Sequence, residues 1–287
     1  TEYFQYGSVV RRTYHHQDGR IAFEELRLSG NWLYKLGPEI LTSHTEVMRR
    51  FLLKLSLKEE DLVLLDRASR MDFARPLMEK DDRSKLAMVF HSEHEFENGQ
   101  LNYEYYYVFK YAKRFDYFIT ATELQKEVLE QTLAKQECQG IPIYSMPVGH
   151  LEELTESQGD RPPFSVITAS RLDPRKRIDL AIRVVAQAQK RLPALQFDIY
   201  GKGGEADNLR HLIQELEAQD YIHLRGHADL KQIYPCYQAY LTTSQWETFG
   251  LTLMEAAGAG LALLGFDARY GNPTFIKEGE NGFLVPY

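Results

Sequence analysis

The sequence predicts an α/β protein in which a segment of antiparallel β structure precedes two domains that each contain a parallel sheet. Over residues 1–40, apolar and polar residues alternate on both sides of Asp18-Gly19, a dipeptide that favours a tight hairpin turn. Over residues 41–150 and again over 151–287, short apolar runs alternate with segments of helical length. Strands separated by helices form parallel sheets, because a parallel pair needs a long crossover. We therefore expect three segments with these boundaries.

The chain is long enough for two domains, and it is acidic. Its 287 residues include 34 Lys and Arg against 41 Asp and Glu, which gives a formal charge of −7. The sequence lacks the basic stripe that nucleic-acid binding requires. No apolar run approaches the roughly 20 residues that span a bilayer, and no signal peptide opens the chain, so we expect a cytoplasmic location. The sequence starts at Thr1 inside a hairpin pattern and stops in a strand-like run, which predicts that both parallel-sheet domains are incomplete.

The first segment is predicted to be a meander of strands. Ser8 to His15 and Ile21 to Leu28 flank the Asp-Gly turn, and residues 31–35 add a further strand. We expect the tyrosines here and the pair His15-His16 to serve cross-strand packing and the surface, since directly opposed side chains are the unit of sheet stabilisation.

The second segment opens with a helix. Ser43 and Glu46 have the spacing of a capping box, and the helix is predicted to continue to about Ser56. Its predicted apolar face comprises Val47, Phe51, Leu52 and Leu55. Strands are predicted at 61–66, 85–90 and 116–120, and helices at 102–114 and 123–135. The uniformly apolar strands are typical of a parallel sheet that is covered on both faces.

A histidine follows one of these strands. Residues 86–90 are uniformly apolar, and His91 stands at their carboxyl end, where open α/β sheets hold their ligands. An imidazole at this place can donate a hydrogen bond to a sugar hydroxyl. A surface histidine that bonds to nearby backbone is the alternative that this pattern leaves open.

The third segment is predicted to be a regular series of strands and helices. Strands are predicted at 164–169, 197–200, 222–224, 240–243 and 261–266, and helices near 178–191 and 205–218 and from about 251. A polar stretch at 152–163, which ends in two prolines, is typical of a linker before this domain.

Two cations stand between the first strand and the first helix of this series. Arg171 follows the strand and Lys176 lies just before the helix, so both side chains can reach one anion. Charge-assisted hydrogen bonds to phosphate are strong, and two fixed cations can neutralise a departing diphosphate without a metal. A solvated basic turn is the alternative.

Two further loops follow the next strands. Gly201-Lys202-Gly203-Gly204 permits a close approach of the backbone to a ligand. Arg225, His227 and Ala228 end the strand after it and are placed to touch a base or a phosphate.

Two carboxylates belong to the loop and helix that follow the fourth strand. Glu247 lies in the loop, and Glu255 lies about one and a half turns into the helix with its Cβ tilted back toward the helix start. The backbone N–H groups of a helix start favour an anion, whereas carboxylates suit hydroxyl groups. A sugar nucleotide combines both chemistries. The alternative is that Glu247 caps the helix and Glu255 is an exposed charge.

The sequence gives no sign of a metal site. No Asp-x-Asp pair ends a predicted strand, although Mg²⁺ usually binds through carboxylates and substrate phosphates. Cys138 and Cys236 are far apart in sequence, which argues against a disulfide scaffold or a zinc site. We expect no metal and no cofactor besides a donor substrate.

Taken together, these motifs of residues 164–287 resemble the retaining glycosyltransferases of family four, which have the GT-B fold. The resemblance implies two Rossmann-like domains that face each other across a cleft. It also implies that Arg171 and Lys176 hold the nucleotide diphosphate, that Glu255 binds the ribose, and that Glu247 and the next backbone N–H groups hold the transferred sugar. Thr248 stands where the family usually has glycine, and the family's glycine-rich loop at the start of the first domain is absent. The predicted donor-binding residues are Arg171, Lys176, His227, Ala228, Glu247, Thr248, Phe249, Gly250, Leu251 and Glu255.

A narrower resemblance is to the accessory-Sec transferases that place N-acetylglucosamine (GlcNAc) on Ser and Thr of serine-rich adhesins. It is carried by residues 87–94, 116–122, 250–256 and 270–272. It implies UDP-GlcNAc as donor, a Ser/Thr-rich protein acceptor, an acceptor-binding partner subunit, and an extended β-domain that accounts for the hairpins. It is also compatible with peripheral association at the inner face of the cell membrane. The catalytic residues that it implies are His91, Arg171, Lys176 and Glu247.

Two other functions stay open on the sequence alone. A wall-teichoic-acid glycosyltransferase resembles this domain plan and would use polyribitol phosphate as acceptor. A non-catalytic chaperone subunit would bind acceptor but not donor, although the presence of both cations and both glutamates argues against it.

Overall fold

The structure, a computed structural model, describes residues 1–68, 71–79, 84–96, 98–151, 154 and 160–287, with the side chains of 71–74 excluded. The chain divides into two compact units. The first contains residues 1–119 and 133–143, and the second contains residues 120–132 and 144–287. The predicted linker at 152–163 lies mostly outside the described residues.

The first unit begins with a five-stranded antiparallel sheet. Its strands are β1 (Glu2–Gln5), β2 (Ser8–His15), β3 (Ile21–Leu28), β4 (Asn31–Leu36) and β5 (Glu39–Leu41), in the spatial order of the chain. The predicted Asp-Gly hairpin is confirmed, because His16 N donates to Arg20 O at 2.9 Å and Gly19 has φ +83°. The turn fixes the register in which Tyr14 faces Phe23 across the sheet.

The predicted capping of the next helix is confirmed in part. Helix α1 (His44–Leu55) begins after Ser43, whose hydroxyl accepts a hydrogen bond from Glu46 N at 3.3 Å. The Glu46 carboxylate accepts from Thr42 N at 3.1 Å, one residue before the position that a capping box predicts. The predicted apolar face was wrong at two positions, since Leu52 is buried but Phe51 and Leu55 are about half exposed.

The elements that follow in the chain form a four-stranded sheet and its helices. Its elements are β6 (Leu62–Leu65), α2 (Met71–Glu79), β7 (Lys85–Phe90), α3 (Tyr106–Lys110), β8 (Tyr117–Thr120), α4 (Glu123–Lys135) and β9 (Ile143–Ser145), with strand order β6-β7-β8-β9. Strand β7 is buried as predicted, but cover on both faces was wrong for the edge strand β6, where Leu62 and Leu64 are exposed. The helix predicted at 102–114 is broken into α3 and flanking 3₁₀ turns, because Asn102 caps Glu104 N at 3.1 Å and starts a tight turn there.

The second unit is built on a six-stranded parallel sheet. Its elements are β10 (Ser165–Ala169), α5 (Ile178–Gln189), β11 (Gln196–Tyr200), α6 (Ala206–Glu215), β12 (Ile222–Gly226), β13 (Ala239–Thr242), α7 (Leu251–Gly258), β14 (Ala262–Phe266), α8 (Gly271–Phe275) and β15 (Gly282–Val285). The strand order is β12-β11-β10-β13-β14-β15, so the order reverses between β10 and β13. Open sheets of this kind bind ligands beyond the carboxyl ends of the strands at the reversal. The loops that carry Arg171 and Glu247 leave these two strands.

The glycine-rich turn after β11 packs directly against the exit of β10. Leu172 N donates to Lys202 O at 3.0 Å, and Glu205 N donates to Leu172 O at 3.1 Å. A Cβ at Gly203 would lie 2.2 Å from Leu172 O, so only glycine permits this approach. The turn therefore fixes the backbone beside Arg171.

Among the helices of the described residues, none is both long enough and apolar enough to cross a membrane.

Candidate functional site

The loop after β13 is held by backbone hydrogen bonds on both sides of Glu247. Glu247 N donates to Arg269 O at 3.2 Å, and Glu247 O accepts from Tyr270 N and Gly271 N, each at 2.6 Å. A Cβ at Gly271 would lie 2.1 Å from Phe249 O, so glycine is needed where this segment crosses the loop. The backbone beneath Glu247 is thus fixed before any ligand binds.

Lys176 and Glu247 form an ion pair. Lys176 Nζ lies 2.5 Å from Glu247 Oε2, although 71 residues separate them in sequence. Thr243 brings the two loops together, because its hydroxyl contacts Lys176 O at 3.2 Å and Arg177 O at 2.8 Å. The ion pair joins a residue predicted to hold phosphate to one predicted to hold sugar. The predicted phosphate and sugar positions are therefore neighbours.

Arg171 is exposed and lines a cavity of about 440 Å³, together with Tyr200, Lys202, His227 and Ala228. Among the described residues, no carboxylate forms a salt bridge with Arg171, in contrast to the neighbouring Arg175 and Arg177, which are paired with Asp173 and Asp179. An unpaired guanidinium at the carboxyl end of a central strand is suited to bind an anionic ligand.

Glu255 lines a second cavity of about 480 Å³, which His227 and Ala228 also line. The Tyr234 hydroxyl donates to Glu255 Oε2 at 3.3 Å and lies at the same distance from Thr252 O. Burial raises the pKa of the Glu255 carboxyl, the Tyr234 hydrogen bond lowers it, and the charge of Asp229 raises it. Burial also raises the pKa of Tyr234, so this residue stays a hydrogen-bond donor.

The cavities adjoin along the carboxyl edge of the sheet. The two large cavities share His227, Ala228 and Leu230. A third, small cavity contains Lys176 and Glu247 in its lining and shares Ser170 and Thr252 with the cavity at Arg171. A ligand that followed this edge would meet Glu247 and Lys176 first, then Arg171, then Glu255. That is the order of sugar, diphosphate and ribose in a nucleotide sugar.

The other predicted residues have varied surroundings. Phe249 is buried against Ala121 and Met254, with its ring edge-on to Phe275 at 5.1 Å, so only its backbone can face a ligand. Gly250 is the N-cap residue of α7 and has φ +88°. Of its neighbours, Thr248 is half-buried and Leu251 is exposed. Arg225 Nε donates to Asp198 Oδ1 at 2.9 Å, and the Arg225 side chain is about half exposed.

His91 belongs to the first unit. Its Nε2 lies 2.7 Å from Asp66 Oδ1, and the ring is partly exposed. A carboxylate on one ring nitrogen fixes the tautomer and the orientation of an imidazole. Contact between His91 and a donor sugar stays a prediction.

Sequence reasoning missed three residues that line these cavities. Tyr234 is 21 residues from Glu255, His150 comes from the segment before the linker, and Asn272 is fully buried beside Glu247. For Tyr234 one general rule applies: a buried tyrosine needs a hydrogen-bond partner for its hydroxyl group. His150 had no signal in the sequence, and Asn272 had only its place in the stretch 270–272 that carries the family resemblance.

Replacing Tyr234 with phenylalanine is expected to weaken UDP binding by roughly fivefold, because about 1 kcal/mol accompanies the loss of one hydrogen bond. Glu255 would lose the donor that orients its carboxylate. Calorimetric titration with UDP measures this effect. Tyr221→Phe, on the loop before β12, is the control and should leave the affinity unchanged. Equal affinities for wild type and Tyr234→Phe would contradict the role of this hydrogen bond.

Replacing Glu255 with glutamine is expected to stabilise the protein at neutral pH and to weaken UDP binding. Because the folded-state pKa of Glu255 is raised, the folded protein binds its proton more tightly than the unfolded chain does. Stability is therefore lost as the pH rises from the ordinary value of 4.5 through the raised pKa. Urea unfolding of wild type and variant should give equal free energies of unfolding below pH 4.5. As the pH rises above 4.5, the variant should become increasingly more stable than the wild type. Glu280→Gln is the control for the same substitution at an exposed glutamate. A difference in stability between wild type and Glu255→Gln that was the same at all pH values would contradict the raised pKa.

Known glycosyltransferases are similar to this chain in sequence and in fold. Residues 152–287 match the family model for glycosyl transferases group 1. Residues 152–287 thus form a glycosyl transferases group 1 domain, and the fold is of the GT-B type. Over 97% of its length it is 46% identical to the UDP-N-acetylglucosamine–peptide N-acetylglucosaminyltransferase GtfA subunit of Streptococcus gordonii, of which it covers 56%. The chain thus spans little more than half the length of that relative.

Two solved structures are similar across the chain. The pneumococcal O-GlcNAc transferase GtfA in complex with UDP and GlcNAc is 43% identical, with a TM-score of 0.89 over 100% of this chain and 58% of that one. A GtfA/B complex is 45% identical, with a TM-score of 0.88 over 98% of this chain and 57% of that one. The predicted fold class is confirmed, as is the predicted resemblance to transferases that place GlcNAc on protein.

Proposed function

We propose that this chain carries the donor site of a retaining glycosyltransferase that moves GlcNAc from UDP-GlcNAc to Ser and Thr hydroxyls of a serine-rich adhesin. The observation that carries the proposal is the order at the strand reversal, where the ion pair of Lys176 and Glu247 is followed by the large cavity at Arg171 and then by the large cavity at Glu255. The similarity to GtfA subunits supports the choice of UDP-GlcNAc.

In this mechanism the acceptor hydroxyl attacks the anomeric carbon from the face that the diphosphate leaves. The bond from that carbon to the β-phosphate oxygen breaks, the new glycosidic bond forms, and the acceptor proton passes to the departing phosphate oxygen. Arg171 and Lys176 stabilise the charge that develops on the diphosphate, which is the largest single contribution in many such reactions. No metal is then needed, because two side chains supply the positive charge.

The ion pair of Lys176 and Glu247 is compatible with both of their roles. An ammonium group has three protons to donate. One can stay on the Glu247 carboxylate while another reaches the β-phosphate, so the same side chain would connect the sugar position to the leaving group. Glu255 would accept the ribose hydroxyls, and His227 with Ala228 would border the nucleoside and the diphosphate.

The partners follow from the same assignment. The similarity to a GtfA/B complex supports a GtfB-like partner subunit that presents the acceptor protein. A cytoplasmic location, with peripheral association at the inner face of the membrane, is part of the proposal. Nucleic acid is not expected as a ligand.

The test is transfer of labelled GlcNAc from UDP-GlcNAc to a Ser-rich peptide, with the GtfB-like partner present. Polyribitol phosphate is the competing acceptor: label on it, and none on the peptide, would favour a teichoic-acid glycosyltransferase. Calorimetric titration with UDP separates both enzymes from an acceptor-binding chaperone. If UDP does not bind, the enzyme assignment is overturned.

A further inference from the structure

Asn272 is fully buried, and only one end of its amide has a hydrogen-bond partner. Its Nδ2 donates to Phe266 O at 2.8 Å. Because a backbone carbonyl oxygen accepts hydrogen bonds and cannot donate them, the end of the amide that contacts it must be the nitrogen. Its Oδ1 has no hydrogen-bond partner within the part of the chain that the structure describes. An unsatisfied buried acceptor costs about 1–3 kcal/mol, so a donor for this oxygen is expected.

The small cavity beside Glu247 supplies the space for that donor. Asn272 lines it, as do Lys176 and Glu247, and the volume is about 10 Å³. A volume of roughly 10–15 Å³ on this measure holds one water molecule, provided that the site offers two to four polar partners. The remaining lining is rich in hydroxyl groups, which include those of Thr242 and Ser244. The cavity is too small for an organic ligand.

The hydroxyl groups beside Asn272 can complete the bonds of a water molecule. The Thr242 hydroxyl donates to Ser244 Oγ at 3.4 Å, which leaves the Ser244 proton available to the cavity. Asn272 Oδ1 and the Glu247 carboxylate are acceptors. One donor and two acceptors match the one lone pair and two protons that a water molecule would use.

We propose that this cavity binds one structural water molecule, which accepts a hydrogen bond from Ser244 and donates to Asn272 Oδ1 and to the carboxylate of Glu247. Asn272 is then a positioning residue that acts on Glu247 through the water. The inference rests on the proposed function, in which Glu247 holds the transferred sugar.

The water explains how Glu247 keeps its orientation when the donor binds. In the free protein Lys176 contacts Glu247 Oε2, and the Tyr270 and Gly271 amides hold the backbone carbonyl. A bound diphosphate would share the Lys176 ammonium with the Glu247 carboxylate and so weaken that contact. The water-mediated bond to Asn272 persists, and it holds the carboxylate toward the sugar position.

Titration with UDP and with UDP-GlcNAc tests the inference. Asn272→Ala removes the acceptor and is expected to weaken UDP-GlcNAc binding about tenfold, with UDP affinity changed by less than twofold, because the nucleotide contacts lie at Arg171 and Glu255. Asn281→Ala is the matched control. Asn281 also connects two backbone segments, through Lys277 N at 2.7 Å and Phe275 O at 2.9 Å, but it is exposed. It should leave the ratio of the two affinities unchanged.

Ser244→Ala provides a second route if Asn272→Ala folds poorly. It removes the donor to the water and should change the same ratio in the same direction. The double variant should lose less than the product of the two single effects, since both act on one water molecule. Multiplicative effects, or equal losses of UDP and UDP-GlcNAc affinity, would overturn the inference. A wild type that binds neither ligand would overturn the proposed function instead.

Discussion

Replacing Lys176 with methionine is expected to lower the rate of GlcNAc transfer by about 10²–10³-fold, the usual effect of removing one preorganised contact to developing charge. The ammonium of Lys176 contacts Glu247 at 2.5 Å and stands beside the cavity that Arg171 lines. Methionine keeps much of the apolar stem and removes only the charged group. Initial rates with UDP-GlcNAc and a Ser-rich peptide measure the effect.

The fold should survive this change, because the side chains of Lys176 and Glu247 are still 21% and 20% exposed and can be hydrated after the pair is broken. Lys190→Met, at the end of α5, is the control for the loss of a lysine from the same unit and should transfer at the wild-type rate. Thermal unfolding of both variants separates lost activity from lost structure. If Lys176→Met matched Lys190→Met in rate, the role of Lys176 at the diphosphate would be excluded.

Glu247→Gln extends this prediction to the other half of the pair. The amide is nearly isosteric, but it cannot attract the ammonium or accept as strongly from a sugar hydroxyl. We expect a comparable loss of transfer. The Lys176→Met/Glu247→Gln double variant should lose less than the product of the two, because residues in direct contact are not independent.

Local sequence patterns predicted the elements of the fold well. The Asp18-Gly19 hairpin depends on four neighbouring residues, and the cap at Ser43 depends on a spacing of three. The predicted bounds of α4, residues 123–135, agree with the structure. Turns and helix caps are determined by residues within a few positions of each other, so a short stretch of sequence is enough to predict them.

The pairings within the candidate site could not be predicted in the same way. The motifs placed Arg171, Lys176, Glu247 and Glu255 at the carboxyl ends of strands, but strand order is a property of the whole sheet. The contact between Lys176 and Glu247 exists because β10 and β13 are neighbours at the reversal of that order. Tyr234 reaches the site from an element without a recognisable motif. Asn272 reaches it from the stretch 270–272, which carried a family resemblance but indicated no polar contact.

Replacing Gly203 with alanine is expected to destabilise the second unit by about 3 kcal/mol, because overpacking against fixed backbone has few ways to relax. The added Cβ would lie 2.2 Å from Leu172 O and 2.6 Å from Leu172 C. The turn would have to move away from β10, and Arg171, which adjoins Leu172, would move with it. Urea unfolding measures the loss, and calorimetry should show weaker UDP binding.

Gly204→Ala is a control one residue away. A Cβ at Gly204 has nothing within 4 Å and no positive φ to strain it. It should be neutral or stabilising by about 0.4–1 kcal/mol, since alanine reduces the entropy of the unfolded chain. Alanine is therefore predicted to lower the free energy of unfolding at Gly203 and to leave it unchanged or raise it at Gly204. The two sites differ because only Gly203 lies against the backbone of Leu172. If both substitutions destabilised equally, the turn would need glycine for chain flexibility, and its packing against the exit of β10 would not be what positions Arg171.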